Sequence, residues 1–266
     1  MKIGVTIRNM GEQSTAEIMA AAVLGAEERG FESAWITDHI AIPPDDAEGS
    51  GGRYTDPLTT VAWMAGITKQ IRLGTGVLIL PYRAKLPTAK QVATVQELSG
   101  ERLILGVGIG WMDAEFKALG LDRHQRGRMS DETLEFLQRC FSNEVVEENG
   151  QAFLFKPRPP KPPILIGGAA PHALQRAAKY GDGWLPMARS PEAIRTAVQQ
   201  YQGELEALGR QGSVSVFTRL PADEDDAKAQ LEDYQALGVE RLVLGVGYQT
   251  ATEYLQGLDH LTRYLL

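Results

Sequence analysis

Cysteine and histidine are scarce in this 266-residue chain, which holds one cysteine and four histidines. The single cysteine, Cys140, excludes an internal disulfide framework, and its position on the apolar side of a predicted helix indicates core packing. No apolar run approaches the roughly 20 residues that a membrane-spanning helix needs, so no membrane segment is predicted. The chain enters an apolar segment at Lys2, which leaves no room for a cleavable signal. We therefore expect a protein of the reducing cytoplasm.

An excess of positive charge is also missing. Lysine and arginine total 27 against 34 aspartates and glutamates, for a formal net charge of -7. Because the basic residues are dispersed along the predicted helices, the electrostatic footprint of a nucleic-acid-binding surface is absent. His124 and His260 have no acidic or histidine partner at metal-ligand spacing, which argues against a zinc or iron site and against a metal-dependent hydrolase. Neither nucleic acid nor a metal ion is expected as a partner.

Eight short apolar segments are present, and amphipathic helical stretches separate them. Continuous apolar runs are typical of parallel strands that are buried on both faces, and a regular alternation of strand and helix predicts an α/β fold. Eight such units in about 250 residues predict a single-domain (β/α)8 TIM barrel, here over residues 1–266, with catalytic groups on loops at the carboxyl ends of the strands. The predicted strands are residues 2–7, 33–37, 72–79, 103–108, 163–166, 183–185, 214–220 and 241–245.

Two stretches interrupt this alternation. Residues 42–57 read IPPDDAEGSGGRYTDP, which is too polar and too rich in glycine and proline to pack as a regular element. We predict a mobile loop after the second strand that can cover a ligand. Residues 143–163 carry a turn signal at Asn149 and Gly150 between VVEE and QAFLF. This pattern predicts a small hairpin outside the barrel, before the fifth strand.

An acidic residue and a histidine follow the second predicted strand. Asp38 and His39 come directly after an apolar run, so a barrel places both at the carboxyl end of that strand. A carboxylate beside an imidazole can orient or charge it, which gives a proton donor or acceptor near neutral pH. The alternative is that Asp38 caps a turn and His39 is structural, and the spacing leaves this choice open.

The third predicted strand contains two glycines. Gly74 and Gly76 flank Thr75 and precede Val77. Glycines inside a strand indicate a bulge or a close approach of the backbone to a ligand, and a flat ring could rest on such a surface. A kink in the barrel wall without a ligand is the alternative.

The fourth predicted strand opens through Gly108, Gly110 and Trp111. Gly106 precedes them, and Gly110, the third glycine of this run, comes one position too early for the dinucleotide-binding fingerprint G-x-G-x-x-G. The run therefore fits a strand that opens into a ligand loop better than it fits a Rossmann unit.

The fifth predicted strand ends in a run of small residues, Gly167, Gly168, Ala169 and Ala170, just before a predicted helix. Small residues at a helix amino terminus expose backbone N–H groups and the positive end of the helix dipole, which suits a phosphate. A tight turn without a ligand is the alternative.

Four longer blocks occur in an order and spacing more specific than any single glycine motif. They read IRLGTGVLILPYR, AKQVATVQELSGERLILGVGIGWMDAEFKALG, RGRMSDE and PPILIGGAAPHALQRAAKYGDGW. Together they resemble the bacterial luciferase-like monooxygenase family over nearly the whole chain, and most closely its short branch usually labelled coenzyme F420-dependent oxidoreductase. Because members of this family use FMN or coenzyme F420, the resemblance implies one of these two cofactors.

The resemblance also implies roles for particular residues. Asp38 and His39 match a pair beside the cofactor ring, and Gly76 and Val77 match a bulge that in relatives often carries a non-prolyl cis peptide against the ring. Residues 167–170 match the phosphate loop. The pocket lining further includes Gly108, Gly110 and Trp111, and the motif that ends the sixth strand includes Gly183 and Trp184.

In such a family the cofactor carries the reaction, while the protein binds, orients and protonates. We predict an oxidoreductase that transfers hydride between the reduced cofactor and a small organic substrate, with His39, oriented by Asp38, as proton donor. An FMN-dependent monooxygenase that uses molecular oxygen is the alternative, and a cofactor-binding protein without turnover is a third hypothesis. Sugar-phosphate oxidation is not expected, because Trp111 stands where that branch of the family carries an acid. Relatives are often dimers, which is compatible with a homodimer here.

Overall fold

A closed barrel of parallel strands forms the body of the computed structural model, which describes residues 1–265. The barrel strands are apolar because helices cover their outer face and side chains fill the interior. In chain order the strands are β1 (Lys2–Thr6), β2 (Ser33–Ile36), β3 (Arg72–Thr75), β4 (Leu78–Ile79), β5 (Leu103–Gly108), β6 (Val145–Glu148), β7 (Gln151–Leu154), β8 (Ile164–Gly167), β9 (Gly183–Leu185), β10 (Ser213–Thr218) and β11 (Arg241–Leu244).

The barrel closes because its first and last strands pair. β1 lies between β2 and β11, with Lys2 opposite Arg241, and the other barrel strands follow in chain order. β3 and β4 both pair with β5 and are separated only by Gly76 and Val77, so they are two parts of one barrel strand. The predicted TIM barrel is confirmed. The prediction of one continuous strand over residues 72–79 is wrong, because the strand is broken at these two residues.

Helices cover the outside of the barrel. α2 begins where Asp56 caps its amino terminus: the Asp56 side chain accepts the N–H of Thr59 at 2.9 Å, and Pro57 occupies the first helical position, an arrangement typical of helix starts. None of the helices within residues 1–265 combines the length and the apolar character that crossing a bilayer requires. The helices are α1 (Ala16–Glu28), α2 (Pro57–Ile67), α3 (Lys85–Leu98), α4 (Asp113–Ala118), α5 (Arg126–Ser142), α6 (His172–Tyr180), α7 (Pro191–Ala207), α8 (Glu224–Ala236) and α9 (Ala251–Leu265).

Trp35 fills the centre of the barrel. Its side chain is 1% exposed, and the ring of Phe217 packs edge-on against it with centroids 5.4 Å apart. Gly74 makes room for this indole, because a Cβ at position 74 would lie 2.4 Å from two Trp35 ring atoms. A ligand therefore reaches the barrel from one of its ends and not through its centre. The other buried members of this inner cluster are Ile104, Leu165, Leu185 and Val243.

The hairpin predicted within residues 143–163 is formed by β6 and β7. These strands pair antiparallel, outside the barrel sheet. Asn149 and Gly150 form the turn between them with φ angles of 51° and 76°, which are typical of a two-residue hairpin turn.

Residues 42–57 lie against the loop that follows β1. The side chain of Arg8 donates to the Gly49 carbonyl at 2.9 Å, and Arg53 Nε donates to Ser14 Oγ at 2.8 Å. An isolated antiparallel bridge joins Tyr54 to the β1 loop. The segment thus covers part of the carboxyl end of the barrel, and its mobility stays a prediction.

Candidate active site

The predicted site residues divide into two groups by exposure. One group is at least partly exposed at the carboxyl ends of β2, β5 and β8 and in the break between β3 and β4, where it can contact a ligand. The other group is buried. The exposed group comprises His39, Gly76, Val77, Gly110, Trp111, Gly167, Gly168, Ala169 and Ala170, and the buried group comprises Asp38, Gly74, Thr75, Gly108, Gly183 and Trp184.

His39 follows β2 with its side chain 17% exposed. Its Nδ1 lies 2.9 Å from Oε2 of Glu115. Two aromatic rings flank the imidazole, since the ring centroids of Tyr54 and Trp111 lie 5.0 and 6.1 Å away. Within residues 1–265, His39 Nε2 has no hydrogen-bond partner. One ring nitrogen is therefore held by the protein and the other is available to a ligand.

Asp38 pairs with Arg83 and not with His39. Its two carboxylate oxygens lie 2.5 and 3.0 Å from the two terminal nitrogens of Arg83, and Oδ2 also accepts the N–H of Ile79 at 2.8 Å. The prediction that Asp38 orients His39 is therefore wrong. Successive side chains of an extended chain point in opposite directions, so two neighbouring residues that leave a strand face different partners.

Arg83 links the end of β2 to the start of α2. Its second partner is Asp56, whose Oδ2 lies 2.9 Å from Arg83 Nη2. Burial raises the pKa of Asp38, although its hydrogen bonds with Arg83 oppose the shift. Burial disfavours the charge of Arg83, but hydrogen bonds with the two aspartates raise its pKa above the ordinary value. The two ion pairs of Arg83 thus hold the end of β2 and the start of α2 together.

Glu115 is a functional candidate that the sequence pattern does not reveal. It lies on α4 with its side chain fully buried. Its Oε1 accepts the N–H groups of Ile40 and Ala41 at 2.6 and 3.0 Å, and its Oε2 accepts the Tyr82 hydroxyl at 2.7 Å and faces His39. Burial opposes ionisation, yet these hydrogen bonds lower the pKa of Glu115. The available signal was an acid on a short helix just past the glycines that end β5, at the catalytic end of the barrel.

Three of the buried residues support the pocket from behind. Gly74 accommodates the barrel tryptophan, and Thr75 Oγ1 donates to the Gly106 carbonyl at 2.7 Å. A Cβ on Gly108 would lie 2.5 Å from Cγ2 of Val77. In the structure these three residues pack the wall of the site, and direct cofactor contact at Gly74, Thr75 and Gly108 stays a prediction.

Gly183 and Trp184 also lie behind the surface. A Cβ on Gly183 would lie 2.5 Å from the hydroxyl oxygen of Ser213, so glycine is needed for β9 and β10 to pair closely. The Trp184 side chain is 2% exposed, and its Nε1 donates to the Gly168 carbonyl at 2.9 Å. Trp184 thus fixes the loop after β8 from the inside, and cofactor contact at Gly183 and Trp184 stays a prediction.

Val77 presents a small apolar surface at the break in the third barrel strand. The Gly76–Val77 peptide bond is cis, as the family resemblance implies. Glycines flank the Val77 side chain on two sides, because a Cβ on Gly108 or Gly167 would lie 2.5 or 2.8 Å from one of its methyl carbons. Glycine at both positions thus leaves room for this valine.

The loop after β8 leads into a helix that has no side-chain cap. Pro171 occupies the N-cap position of α6 and has no side-chain group that could accept a capping hydrogen bond. Gly168 has a φ of 138°, which favours glycine. The exposed amide N–H groups of Ala169 and Ala170 donate no hydrogen bond within residues 1–265. Together with the positive end of the helix dipole, these two N–H groups fit a phosphate or another anion.

A groove of about 630 Å³ opens beside this loop, and its lining includes Ile109 and His172. Asp131 pairs with Arg176 at 2.6 Å, which offsets one of the cations. Nε of Arg126 is buried without a hydrogen-bond partner within the described residues. The arginines in the lining are Arg126, Arg128 and Arg176, the histidines are His124 and His172, and the acids are Asp131, Glu132 and Glu135.

Neither a metal-ligand cluster nor a reactive thiol adds to the site within residues 1–265. Among residues 1–265, no group of three or more His, Cys, Asp or Glu side chains could hold a metal ion. Cys140 on α5 is fully buried, as its apolar position predicts, and burial raises the pKa of its thiol to about 11. This thiol is therefore part of the packing.

Fold and site together define an α/β-barrel protein with a histidine and a loop of unpaired backbone N–H groups at the carboxyl ends of its strands. The chain belongs to the luciferase-like monooxygenase family, whose model matches residues 1–264. It is 30% identical over 213 residues to a 5,10-methylenetetrahydromethanopterin reductase from Methanolobus tindarius, a match that covers 77% of this chain but only 61% of the relative's length. It is 27% identical to an uncharacterized protein from Mycobacterium tuberculosis, over 92% of this chain and 93% of the relative.

Solved structures share the fold at lower sequence identity. A monooxygenase from Streptomyces bottropensis superposes with a TM-score of 0.83 at 20% identity, over 100% of this chain and 98% of that one. An F420-dependent secondary alcohol dehydrogenase in complex with an F420–acetone adduct gives 0.80 at 14% identity, over 99% and 98%. The oxygenating constituent of 3,6-diketocamphane monooxygenase from Pseudomonas putida, in complex with FMN, gives 0.80 at 13% identity, over 100% and 98%. These structures establish the barrel architecture.

Proposed function

We propose that the protein is an oxidoreductase that binds coenzyme F420 or FMN and transfers hydride between the reduced cofactor and a small organic substrate. The observation that carries this proposal is His39, whose Nε2 is available to a ligand while Nδ1 is held by Glu115. A histidine so held at the carboxyl end of a barrel strand is suited to proton transfer.

Two features of the site support a flavin-like cofactor. Val77 offers a partly exposed apolar surface against which a flat ring can lie. The unpaired N–H groups of Ala169 and Ala170, before the uncapped helix α6, suit the phosphate of the cofactor. The burial of Trp184 behind Gly168 keeps this loop in place.

The groove beside α6 favours the deazaflavin over FMN. Coenzyme F420 continues beyond its phosphate into an anionic tail, whereas FMN ends at the phosphate. Arg126 lines the groove, and its Nε has no hydrogen-bond partner within residues 1–265. A carboxylate of the tail would pair with its guanidinium from the groove.

The chemistry assigned to the chain is a proton transfer. A reduced deazaflavin supplies a hydride when bound. As the substrate carbon gains the hydride and the π bond of a C=O or C=N group breaks, the imidazolium form of His39 gives its Nε2 proton to the substrate heteroatom and becomes the neutral Nδ1–H imidazole. Tyr54 and Trp111 flank the imidazole that carries this proton.

The test is a titration of the purified protein with F420, with the tail-free deazaflavin and with FMN, each oxidised and reduced, followed by absorbance and fluorescence. We expect F420 to bind more tightly than the tail-free compound, and Arg126→Ala to reduce this difference. Arg158→Ala is the matched control, because Arg158 is exposed outside the groove.

Other outcomes of the titration would change the assignment. Preference for FMN, with oxygen consumption after reduction, would support the monooxygenase alternative. Binding of none of the three compounds would contradict the proposal. A His39→Ala variant that binds cofactor and turns over at the wild-type rate would remove His39 as the proton donor.

A further inference from the structure

Glu115 receives hydrogen bonds from two separate parts of the chain, residues 39–41 and Tyr82. Two backbone N–H groups of residues 40 and 41 donate to Oε1, and the Tyr82 hydroxyl and His39 Nδ1 lie at 2.7 and 2.9 Å from Oε2. The side chain is fully buried. A carboxylate with this many donors is oriented more rigidly than one held by a single ion pair.

The charge state of Glu115 determines where the hydrogen of His39 lies. An ionised carboxylate only accepts hydrogen bonds, and the hydrogen bonds to Glu115 lower its pKa despite its burial. His39 Nδ1 must then carry a hydrogen to bond with Oε2. In the neutral imidazole this leaves Nε2 as the unprotonated nitrogen, so Nε2 is the atom that gains and loses the proton.

We propose that Glu115 is the positioning residue for His39: it fixes the neutral imidazole in the Nδ1–H tautomer and thereby makes Nε2 the atom that exchanges a proton with the substrate. The second half of this statement rests on the proposed function, since it assumes that His39 acts on a substrate. The first half concerns the protein alone.

The hydrogen bonds from backbone N–H groups to Glu115 Oε1 extend this role. Because Oε1 holds Ile40 and Ala41, the same carboxylate fixes the backbone on the carboxyl side of His39 and the imidazole itself. Backbone and ring are therefore aligned by one group. An orienting carboxylate of this kind resembles the third member of catalytic triads, where loss of the charge gives the wrong histidine tautomer and reduces kcat by roughly 10⁴-fold.

The substitution Glu115→Gln separates charge from shape. The glutamine oxygen can still accept from Ile40 and Ala41, while its NH2 group faces Tyr82 and His39. A hydroxyl can accept as well as donate, so Tyr82 remains satisfied. His39 Nδ1, however, must now accept, which moves the hydrogen of the neutral imidazole to Nε2.

The measurement is imidazole NMR on protein labelled with 15N at histidine, recorded at a pH where His39 is neutral, with His39→Gln used to assign the signal. We expect the Nδ1–H tautomer in the wild type and the Nε2–H tautomer in Glu115→Gln. Tyr82→Phe removes a donor but keeps the carboxylate, so it should retain the wild-type tautomer. This second variant, and the wild type itself, keep the test decisive if Glu115→Gln does not fold.

Glu27→Gln is the matched control. Glu27 lies at the end of α1 and also accepts backbone N–H groups, from Lys69, Gln70 and Ile71 in the segment that leads into β3. Within residues 1–265 it has no histidine partner. It should leave the His39 tautomer unchanged. An Nε2–H tautomer in the wild type, or no change in Glu115→Gln, would overturn the proposal. Failure of the proposed function would appear separately, as full turnover in His39→Ala with the tautomer result intact.

Discussion

Replacement of Asp38 by asparagine tests whether this residue is structural. The Asp38 side chain is fully buried, and three donors surround it: two terminal nitrogens of Arg83 and the N–H of Ile79. Asparagine has nearly the same shape, but it loses the charge and turns an NH2 group towards a donor. Arg83, only 12% exposed, would then keep Asp56 as its remaining ionic partner.

The structure sets the size of the expected effect. Breaking a buried ion pair by removing one partner costs about 3–5 kcal/mol, and the remaining contact with Asp56 places this case near the low end, at about 3 kcal/mol. That is a large part of a typical free energy of unfolding of about 5–15 kcal/mol. With a urea m value of about 3 kcal/mol/M, the midpoint of unfolding should fall by about 1 M.

Asp56→Asn provides the comparison. Its side chain is 43% exposed, so loss of this ion pair should cost no more than about 1 kcal/mol. Asparagine caps a helix as well as aspartate does, which preserves the start of α2. Urea unfolding followed by tryptophan fluorescence measures both variants. Equal stability losses would refute the burial argument, and a stable Asp38→Asn variant without turnover would return Asp38 to a direct role in the reaction.

Three further predictions follow from packing and ionisation. Gly108→Ala forces Val77 to move, so it should lower the free energy of unfolding by about 1–3 kcal/mol and weaken cofactor binding. Gly203→Ala lies on the exposed face of α7 with nothing within 4 Å of the added Cβ, so it should stabilise the helix by up to about 1 kcal/mol. Urea unfolding and cofactor titration check both variants. Burial opposes the ionisation of Glu27, but backbone hydrogen bonds lower its pKa below the ordinary 4.5. The ionised form therefore adds stability above about pH 4.5, and this stability is lost as the pH falls through the pKa of the folded state. The free energy of unfolding, measured between about pH 3 and 7, should fall less steeply towards low pH in Glu27→Gln than in the wild type. The buried Cys140 thiol should resist Ellman's reagent in the native protein and react in urea, and rapid native labelling would contradict its burial.

The fold could be predicted from sequence because its signals are local. Apolar runs alternate with amphipathic stretches, and the number of units specifies a closed barrel. The break at Gly76 and Val77 was not predicted from periodicity alone, because both halves of that strand are apolar and pair with the same neighbour. The β6–β7 hairpin was accessible because its turn residues, Asn149 and Gly150, have strong conformational preferences.

The partners within the site could not be predicted in the same way. Adjacency in sequence linked Asp38 to His39, but the actual partners, Arg83 and Glu115, lie 45 and 76 positions away. Exposure is equally non-local: Gly74 and Gly108 looked like ligand glycines, yet each makes room for a side chain of the protein. Glycine patterns identify a close approach, but they do not distinguish a ligand from a neighbouring residue.

The two buried carboxylates of the site therefore have different roles, and their partners determine which. Asp38 is matched by a guanidinium, which stays protonated at any physiological pH, so this pair holds the strand break and α2 without exchanging protons. Glu115 is matched by backbone N–H groups, a tyrosine hydroxyl and an imidazole. Among these, the imidazole is the group whose charge ordinarily changes near neutral pH. Proton transfer is thus expected at Nε2 of His39, with Glu115 orienting the imidazole and with Asp38 and Arg83 maintaining the geometry around it.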